Sequence, residues 1–523
     1  MLTKSSTILS RSIALSLMAF VFGVTILRAM GQSIAHDEAL TYEWFIDGSI
    51  ANVLKFNTTN HVLFTIIAKF FVKIFGVSEL SLRAPSLFGA ATYLGFSYLL
   101  LRKLFGEGIL LPLSVALLCL NPLIMDFMAA ARGYSLGMAF LAAAMYFLAR
   151  MTDRESFSLE EAAWRRDCAI TSVFLALSVA ASLTNLIPAV SLAVSLAAIA
   201  LRGRLNFSEL GDRSVRIFAQ YLIFPGLSVG VIILWPFLIQ ARPVMFNMGL
   251  HHGSDAIRDL FNSSFLYKWT GDVYSTSLGA VPPIAGSWQQ GVSDLGVYVI
   301  FPLAFFFVLF SLIFTLRGRT ESDRSQTLHF QLFGVAAVAS VVLTVLLHVI
   351  VKVNYPVSRT CLYFIQLFTI SALLSARELW LRFPRSRLKL LGWIIIPAVL
   401  FDYALSLNTE YFRYNAYDVI SRQLFKTISE DARARGLTGV RVGGTWWYEP
   451  EINFYRRRYG AEWMKPYDVK DRSYFWESPN SLAPADYDYF VFTPASDPGL
   501  TSPRVKTIFR DAATGIVVSA TYK

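Results

Sequence analysis

His61–Gly76 reads HVLFTIIAKFFVKIFG, and the fold turns on whether this stretch crosses a membrane. It is apolar enough to suggest a span, yet it is shorter than the roughly 20 residues a spanning helix needs. Lys69 and Lys73 lie one helical turn apart on it. An apolar helix with a charged edge suits the interface plane better than the bilayer core. Charge parity gives a second argument. If 61–76 crossed, every basic segment that follows it would change sides.

Longer apolar blocks lie on both sides of this stretch, near 12–30, 82–101, 109–127, 133–149, 168–184, 187–201, 217–239, 297–316, 328–348, 361–381 and 390–407. With the N-terminus inside, the short cytoplasmic segments hold Lys4 and Arg11; Arg102 and Lys103; Arg150, Arg154, Arg165 and Arg166; Arg202, Arg204, Arg213 and Arg216; Arg317, Arg319 and Arg324; and Arg377, Arg382, Arg385, Arg387 and Lys389. The outer loops before residue 408 are longer and poorer in Lys and Arg. The positive-inside rule therefore fixes the orientation. His61–Gly76 becomes a surface helix within a first outer loop, 31–81.

The expected fold is mainly α: a polytopic bundle of about eleven spans. A small α/β domain, 408–523, follows a transmembrane unit of 1–407, on the non-cytoplasmic side. In that tail, Val440–Trp447 reads as a strand, Glu449–Tyr459 as a helix, Tyr487–Thr493 as a second strand, and Ile508–Thr521 as a hairpin turning near Gly515.

Composition agrees. Of 523 residues, 55% are apolar and 16% charged, against about a quarter charged in soluble proteins. The net charge of +11 sits between apolar blocks, which argues against nucleic acid as a partner. Cys119, Cys168 and Cys361 have no metal-ligand spacing and imply no disulfide framework. Ser33, Ile34 and Ala35 resemble a signal-peptidase site, but the preceding apolar run is long enough to span, so the first helix reads as uncleaved. No phosphate loop, GxSxG or zinc signature is present.

Candidate chemistry gathers in the outer loops. His36, Asp37 and Glu38 follow the first span. An acid pair there suits a general base or a metal site, or simply favours the start of a short helix. Asp126 and the sequence Ala131, Arg132, Gly133, Tyr134 occupy the second outer turn. Arg132 suits either a functional role or pairing with Asp126 or lipid phosphate. The loop 239–295 offers Arg242, His251, His252, Asp255, Arg258, Lys268 and Trp269. Tyr355, Pro356, Val357, Ser358 and Arg359 open the span near 361–381. A guanidinium at that depth suits a lipid-linked phosphate, or a snorkelling contact with ordinary headgroups. Trp446 and Trp447 fit an interface, carbohydrate stacking or a strand core. Arg456, Arg457 and Arg458 read as a solvated or headgroup-facing run.

The order of these features resembles GT-C membrane glycosyltransferases of the protein O-mannosyltransferase and aminoarabinose-transferase type (family 39-like). The likeness is carried by His36-Asp37-Glu38-Ala39, by FGVSELSLRAPS at 75–86, by ARGYSL at 131–136 and by YPVSR at 355–359. It implies transfer of one sugar, with inversion, from a polyprenyl-phosphate donor to an extracytoplasmic glycan, lipid or protein acceptor. It implies Asp37, with Glu38, as the catalytic acid pair, and Arg359, assisted by Arg132, as the donor-phosphate site. Asn60, His61, Asp126, Tyr134, His251 and Tyr355 are further substrate-binding candidates. A divalent metal stays open, with Asp37, His61 or His251 as ligands; no nucleotide or organic cofactor is expected. Where many relatives carry a charged residue before Pro-Pro, this chain has Thr59-Asn60-His61-Val62-Leu63. A transporter, flippase or polymerase of lipid-linked sugars is the alternative. Ionisable residues near mid-membrane or internal repeats would favour transport; here the candidate polar residues gather in outer loops, and no repeat is visible.

Overall fold

The structure, a computed structural model, describes residues 4–152, 162–202, 216–240, 249–265, 287–317, 324–382, 388–412, 418–467, 486–493 and 504–522. Arg154, Arg204, Arg213, Arg242, Lys268, Trp269, Arg319, Arg385 and Arg387 lie outside the described residues.

The chain is a multi-pass membrane protein. Among the described residues, seven helices are long and apolar enough to cross a bilayer, from Ser5–Gly31 to Ser358–Leu381. In chain order the bundle begins with α1 (Lys4–Gly31). The first loop carries α2 (His36–Thr41), α3 (Ile50–Val53) and α4 (Val62–Phe75). Then come α5 (Glu79–Phe105), α6 (Leu110–Cys119), α7 (Pro122–Ala129), α8 (Tyr134–Thr152), α9 (Ala162–Ala181) and α10 (Leu186–Arg202). The later bundle holds α11 (Phe224–Leu238), α12 (Gly253–Ser264), α13 (Ser287–Leu295), α14 (Phe301–Arg317), α15 (Arg324–Leu346), α16 (Leu362–Arg382) and α17 (Leu388–Leu405). Each apolar block read from the sequence is helical.

One block differs from expectation. The span expected at 109–127 is two helices, α6 and α7, meeting at 63°. Pro122 cannot donate a backbone hydrogen bond, and the Asn121 side chain accepts from the amides of Leu123 and Ile124. That is a helix start inside an apolar run.

His61–Gly76 forms α4, a helix of 14 residues. Phe64, Thr65 and Ala68 are buried, while Phe70, Ile74 and Phe75 are exposed. Lys69 does not simply face solvent: its Nζ donates to the carbonyls of Ile46 and Gly48, at 2.5 and 2.8 Å, closing the loop before the helix.

The tail builds α18 (Ser421–Ala434), α19 (Glu449–Arg458) and four strands, β1 (Val442–Gly444), β2 (Tyr489–Phe492), β3 (Val505–Arg510) and β4 (Val517–Thr521). The sheet order is β1-β2-β4-β3, with β1 parallel to β2 and the other pairs antiparallel. The first strand is shorter than the expected Val440–Trp447. Gly444 turns out of it at φ +118°, and a Cβ there would meet the Val491 carbonyl at 2.1 Å. The chain then enters a tight turn at Trp446–Tyr448.

This domain does not have a core to itself. Ile34, Tyr42, Phe64 and Leu82 share one apolar cluster with Leu424, Ile452, Tyr455, Tyr489 and Val518. Ion pairs tie the seam: Arg422 to Glu79 at 2.7 Å, Arg457 to Asp47 at 3.0 Å, and Arg458 to Glu79. The arginine run at 456–458 is therefore not simply solvated, because two of its members clamp the first loop.

Candidate active site

α2 is a helix of six residues at the centre of the first loop. Successive residues on a helix point about 100° apart, so Asp37 and Glu38 meet different neighbours.

Glu38 is buried and its acceptors are taken. Arg83 donates through Nε to Oε1 at 2.9 Å and through Nη2 to Oε2 at 2.5 Å. The amides of Ala35 and Ala131 also donate, one to each oxygen. Arg83, fully buried on α5, binds the carbonyls of Ala29, Gln32 and Ser33 with its remaining donors. This node holds the end of α1, the start of α2 and the turn before α8 together. Four donors from the protein thus occupy the two oxygens of Glu38.

Asp37 faces the bundle. Its Oδ2 lies 2.7 Å from Arg359 Nη1, across more than 300 residues of chain. Arg132, also buried, donates from Nη1 to the Asp37 carbonyl and to Thr41 Oγ1, at 3.0 and 3.2 Å. Its Nε has no partner among the described residues. Burial pushes the Asp37 carboxyl up, but Arg359 and then Arg132 outweigh it and hold it at about 2.

Arg359 sits in a short turn at Ser358–Cys361. Asp259 of α12 fixes that turn by accepting the Ser358 amide at 2.5 Å. Tyr355, stacked on His348 at 4.1 Å, bridges through its backbone to Leu250. His251, next in the chain, is exposed and is not drawn into the Asp37 cluster.

His61 ends the loop before α4. Its Nδ1–H donates to the Ala181 carbonyl at 2.8 Å. Burial first, then Arg132 and Arg359, hold the imidazole well below its usual range, so the ring is neutral. Nε2 is left as a lone-pair acceptor, buried and without a partner among the described residues. Tyr134 packs edge-on against this ring at 4.6 Å. Gly133 permits the approach, since a Cβ there would lie 2.0 Å from the Ala181 oxygen.

Two other candidates have structural partners. Asn60 donates to the carbonyls of Val53 and Lys55 and accepts from Thr65. Asp126 pairs with Arg28 at 3.0 Å. Asp126 lines a narrow cleft, with room for about one water, together with Asp37, Arg132, Phe127 and Phe412. A second, nearly apolar cavity of about 170 Å³ runs beside the Arg359 turn, lined by Leu260, Phe301, Val345, Phe364, Tyr355 and Cys361. Among the described residues no three His, Cys, Asp or Glu side chains cluster as metal ligands, and Asp37 already faces a guanidinium.

Arg83, Asp259 and Asp418 were not expected at the site. Arg83 lies within the 75–86 segment quoted above. Asp259 and Asp418 carry no motif.

Residues 62–159 match the family described as dolichyl-phosphate-mannose-protein mannosyltransferase. The resemblance read from the sequence is shown over that segment. No curated protein sequence matches the chain. Among solved structures, the chain is similar to ArnT from Cupriavidus metallidurans bound to undecaprenyl phosphate, at 14% identity over 97% of both chains with a TM-score of 0.48. It is also similar to the oligosaccharyltransferase of Archaeoglobus fulgidus in its apo form, at 12% identity over 92% of this chain and 69% of that one, TM-score 0.44.

Proposed function

We propose that this chain is a membrane glycosyltransferase that moves one sugar, with inversion, from a polyprenyl-phosphate donor to an acceptor hydroxyl on the non-cytoplasmic side. The observation that carries the reading is the Asp37–Arg359 pair at 2.7 Å, set where a charged cleft and an apolar cavity approach one another.

In this reading the apolar cavity takes the first isoprene units of the donor. Arg359 and Arg132 take its phosphate. The donor's phosphodiester, a monoanion, shares Arg359 with Asp37 and so loosens the guanidinium's hold on the carboxylate; the second phosphate charge develops only as the leaving group departs. Burial then acts on Asp37 with less opposition, and its carboxylate becomes a stronger base. The acceptor hydroxyl transfers its proton to Asp37 as its oxygen bonds to the anomeric carbon. The carbon–oxygen bond to phosphate breaks through an oxocarbenium-like state. The electron pair leaves on the phosphate, where Arg359 and Arg132 stabilise the developing charge. His61 Nε2 accepts a hydrogen bond from a substrate hydroxyl, and Tyr134 walls the same side.

Asp37→Asn should abolish transfer from a polyprenyl-phosphate sugar while the protein still accumulates in the membrane. Near-normal transfer by that variant rejects Asp37 as base. The proposed orientation puts the C-terminal domain outside the cytoplasm. A periplasmic reporter fused after Asn408 should be active, and activity only from a cytoplasmic reporter rejects it.

A further inference from the structure

His36 immediately precedes Asp37 but faces the opposite way, into the C-terminal domain. Its backbone N–H donates to Asp418 Oδ2 at 2.5 Å. Its ring Nδ1 lies 2.7 Å from the Trp447 carbonyl and 3.1 Å from Glu451 Oε1. A carbonyl only accepts, so Nδ1 carries the proton and shares it between the two oxygens. The ring stacks on Trp447 at 4.7 Å and meets Trp446 edge-on at 5.3 Å.

The same segment is held on its amino-terminal side. The Ile34 amide donates to the Tyr455 hydroxyl at 2.9 Å, and that hydroxyl donates to Glu79. Ser33 Oγ donates to the Val419 carbonyl, and Ser421 Oγ donates to the Ile34 carbonyl. Ser33, Ile34 and His36 are thus held by the tail, Asp37 is held by Arg132 and Arg359, and Ala35 between them donates to Glu38.

Asp418 and Glu451 are buried, and both face His36, one at its backbone amide and the other at its ring. Burial pushes both carboxyls well above the usual range. Two carboxyl groups this deep cost stability unless their hydrogen bonds are met. Here the ligands that meet them come from the first loop.

We infer that Asp418 and Glu451 are positioning residues for transfer: by locking His36 they aim Asp37 at the cleft, so the C-terminal domain is a working part of the active site. This rests on the reading of Asp37 as the base. Asp418 and Glu451 touch neither substrate nor reacting atoms, so their removal acts on turnover through Asp37 and leaves the Arg359 phosphate site intact.

The test uses the full-length chain in nanodiscs, with Asp418→Ala, the isosteric Asp418→Asn, and His36→Phe. The phenylalanine keeps the stack on Trp447 but has no Nδ1–H. Hydrogen exchange over residues 34–46 should rise about tenfold or more in D418A and H36F. Exchange in β2 and β4 should be unchanged in H36F. D418N, whose amide oxygen can accept from His36, should restore protection. In transfer assays with a polyprenyl-phosphate sugar, D418A should lower kcat with donor KM unchanged, and D418N should recover it. Unchanged exchange over 34–46 in both D418A and H36F overturns the inference, as does D418N behaving like D418A, or a rise in donor KM with kcat intact. Binding of undecaprenyl phosphate to the unmutated chain checks the donor reading separately. Its absence rejects that reading while the exchange pattern still decides the positioning role.

Discussion

Two arginine–carboxylate pairs sit one residue apart on α2, and they have opposite characters. Arg83–Glu38 is sealed: every strong donor and acceptor is met by protein, and both side chains are buried. Arg359–Asp37 lies at a mouth, between a charged cleft and an apolar cavity, with unmet donor capacity beside it on Arg132. The first pair joins neighbouring pieces of the amino-terminal fold. The second joins loops far apart in the chain. Adjacent acids of the same chemistry are thus divided into one that holds the fold and one that is free to exchange partners. Partner supply, not the residue type, makes the difference.

The largest separation of the two pairs should appear in Asp37→Asn against Glu38→Gln. Asp37→Asn should lose transfer by about 10²–10⁴-fold, the range for removal of a general base, with the smaller stability loss, about 2 kcal/mol, that its pairing with Arg359 supplies. Glu38→Gln should instead lose stability, by roughly 3–5 kcal/mol, because it strands a buried guanidinium. Thermal unfolding and membrane accumulation measure it. If both variants lost only activity, the distinction between a sealed and an exchangeable pair would break.

Arg359→Ala comes next. Loss of a charge-assisted contact of about 1.5–3 kcal/mol should weaken apparent donor affinity by roughly 10–150-fold and leave acceptor use nearly unaffected. Equal weakening of both would count against a phosphate site. A smaller effect concerns acid stability. Asp37 is held at about 2 against an ordinary 3.8. Its folded-state pKa is lowered, so its stabilisation is complete above about pH 4 and is lost as pH falls through about 2. That difference corresponds to about 2 kcal/mol. Acid titration of unfolding should show the loss, and Arg359→Met should remove most of it.

The smallest expected effect is at His61. His61→Phe should raise the KM of whichever substrate presents the hydroxyl to Nε2, by about tenfold, the worth of one hydrogen bond to a buried acceptor. A deoxy analogue of that substrate should not distinguish the variant from the original chain. If the variant discriminated against the deoxy analogue as strongly as the original chain does, no hydroxyl would meet Nε2.

Much of the helical architecture was legible in the sequence because lipid imposes a simple rule: apolar length marks helices. At 14 residues, α4 is shorter than the helices able to span. The bend at Asn121 and Pro122 was legible too, as a cap and a proline inside an apolar block, but apolar length masked it. Helix α18 is not among the elements read in the tail, although Leu424, Phe425, Ile428 and Ala432 lie on one buried face. The site was half legible. Asp37, Arg132, His61 and Arg359 converge, whereas Glu38, Asn60 and Asp126 have structural partners and His251 stays exposed. No local pattern could tell Asp37 from Glu38, because Arg83, Arg359 and Asp418 reach α2 from remote parts of the chain. The partnership of His36 with Asp418 spans 382 positions, and nothing local to either residue encodes it.

The shared core of the first loop and the tail also sets a clock on biogenesis. Ile34 emerges early, but the hydroxyl that receives its amide belongs to Tyr455, 421 positions later. At ribosomal speeds of about 5–20 residues per second, the loop waits roughly 20–80 s for its other half. During that interval the nascent chain has its membrane helices but no finished site. A product that stops short of the tail is held inert by the same geometry.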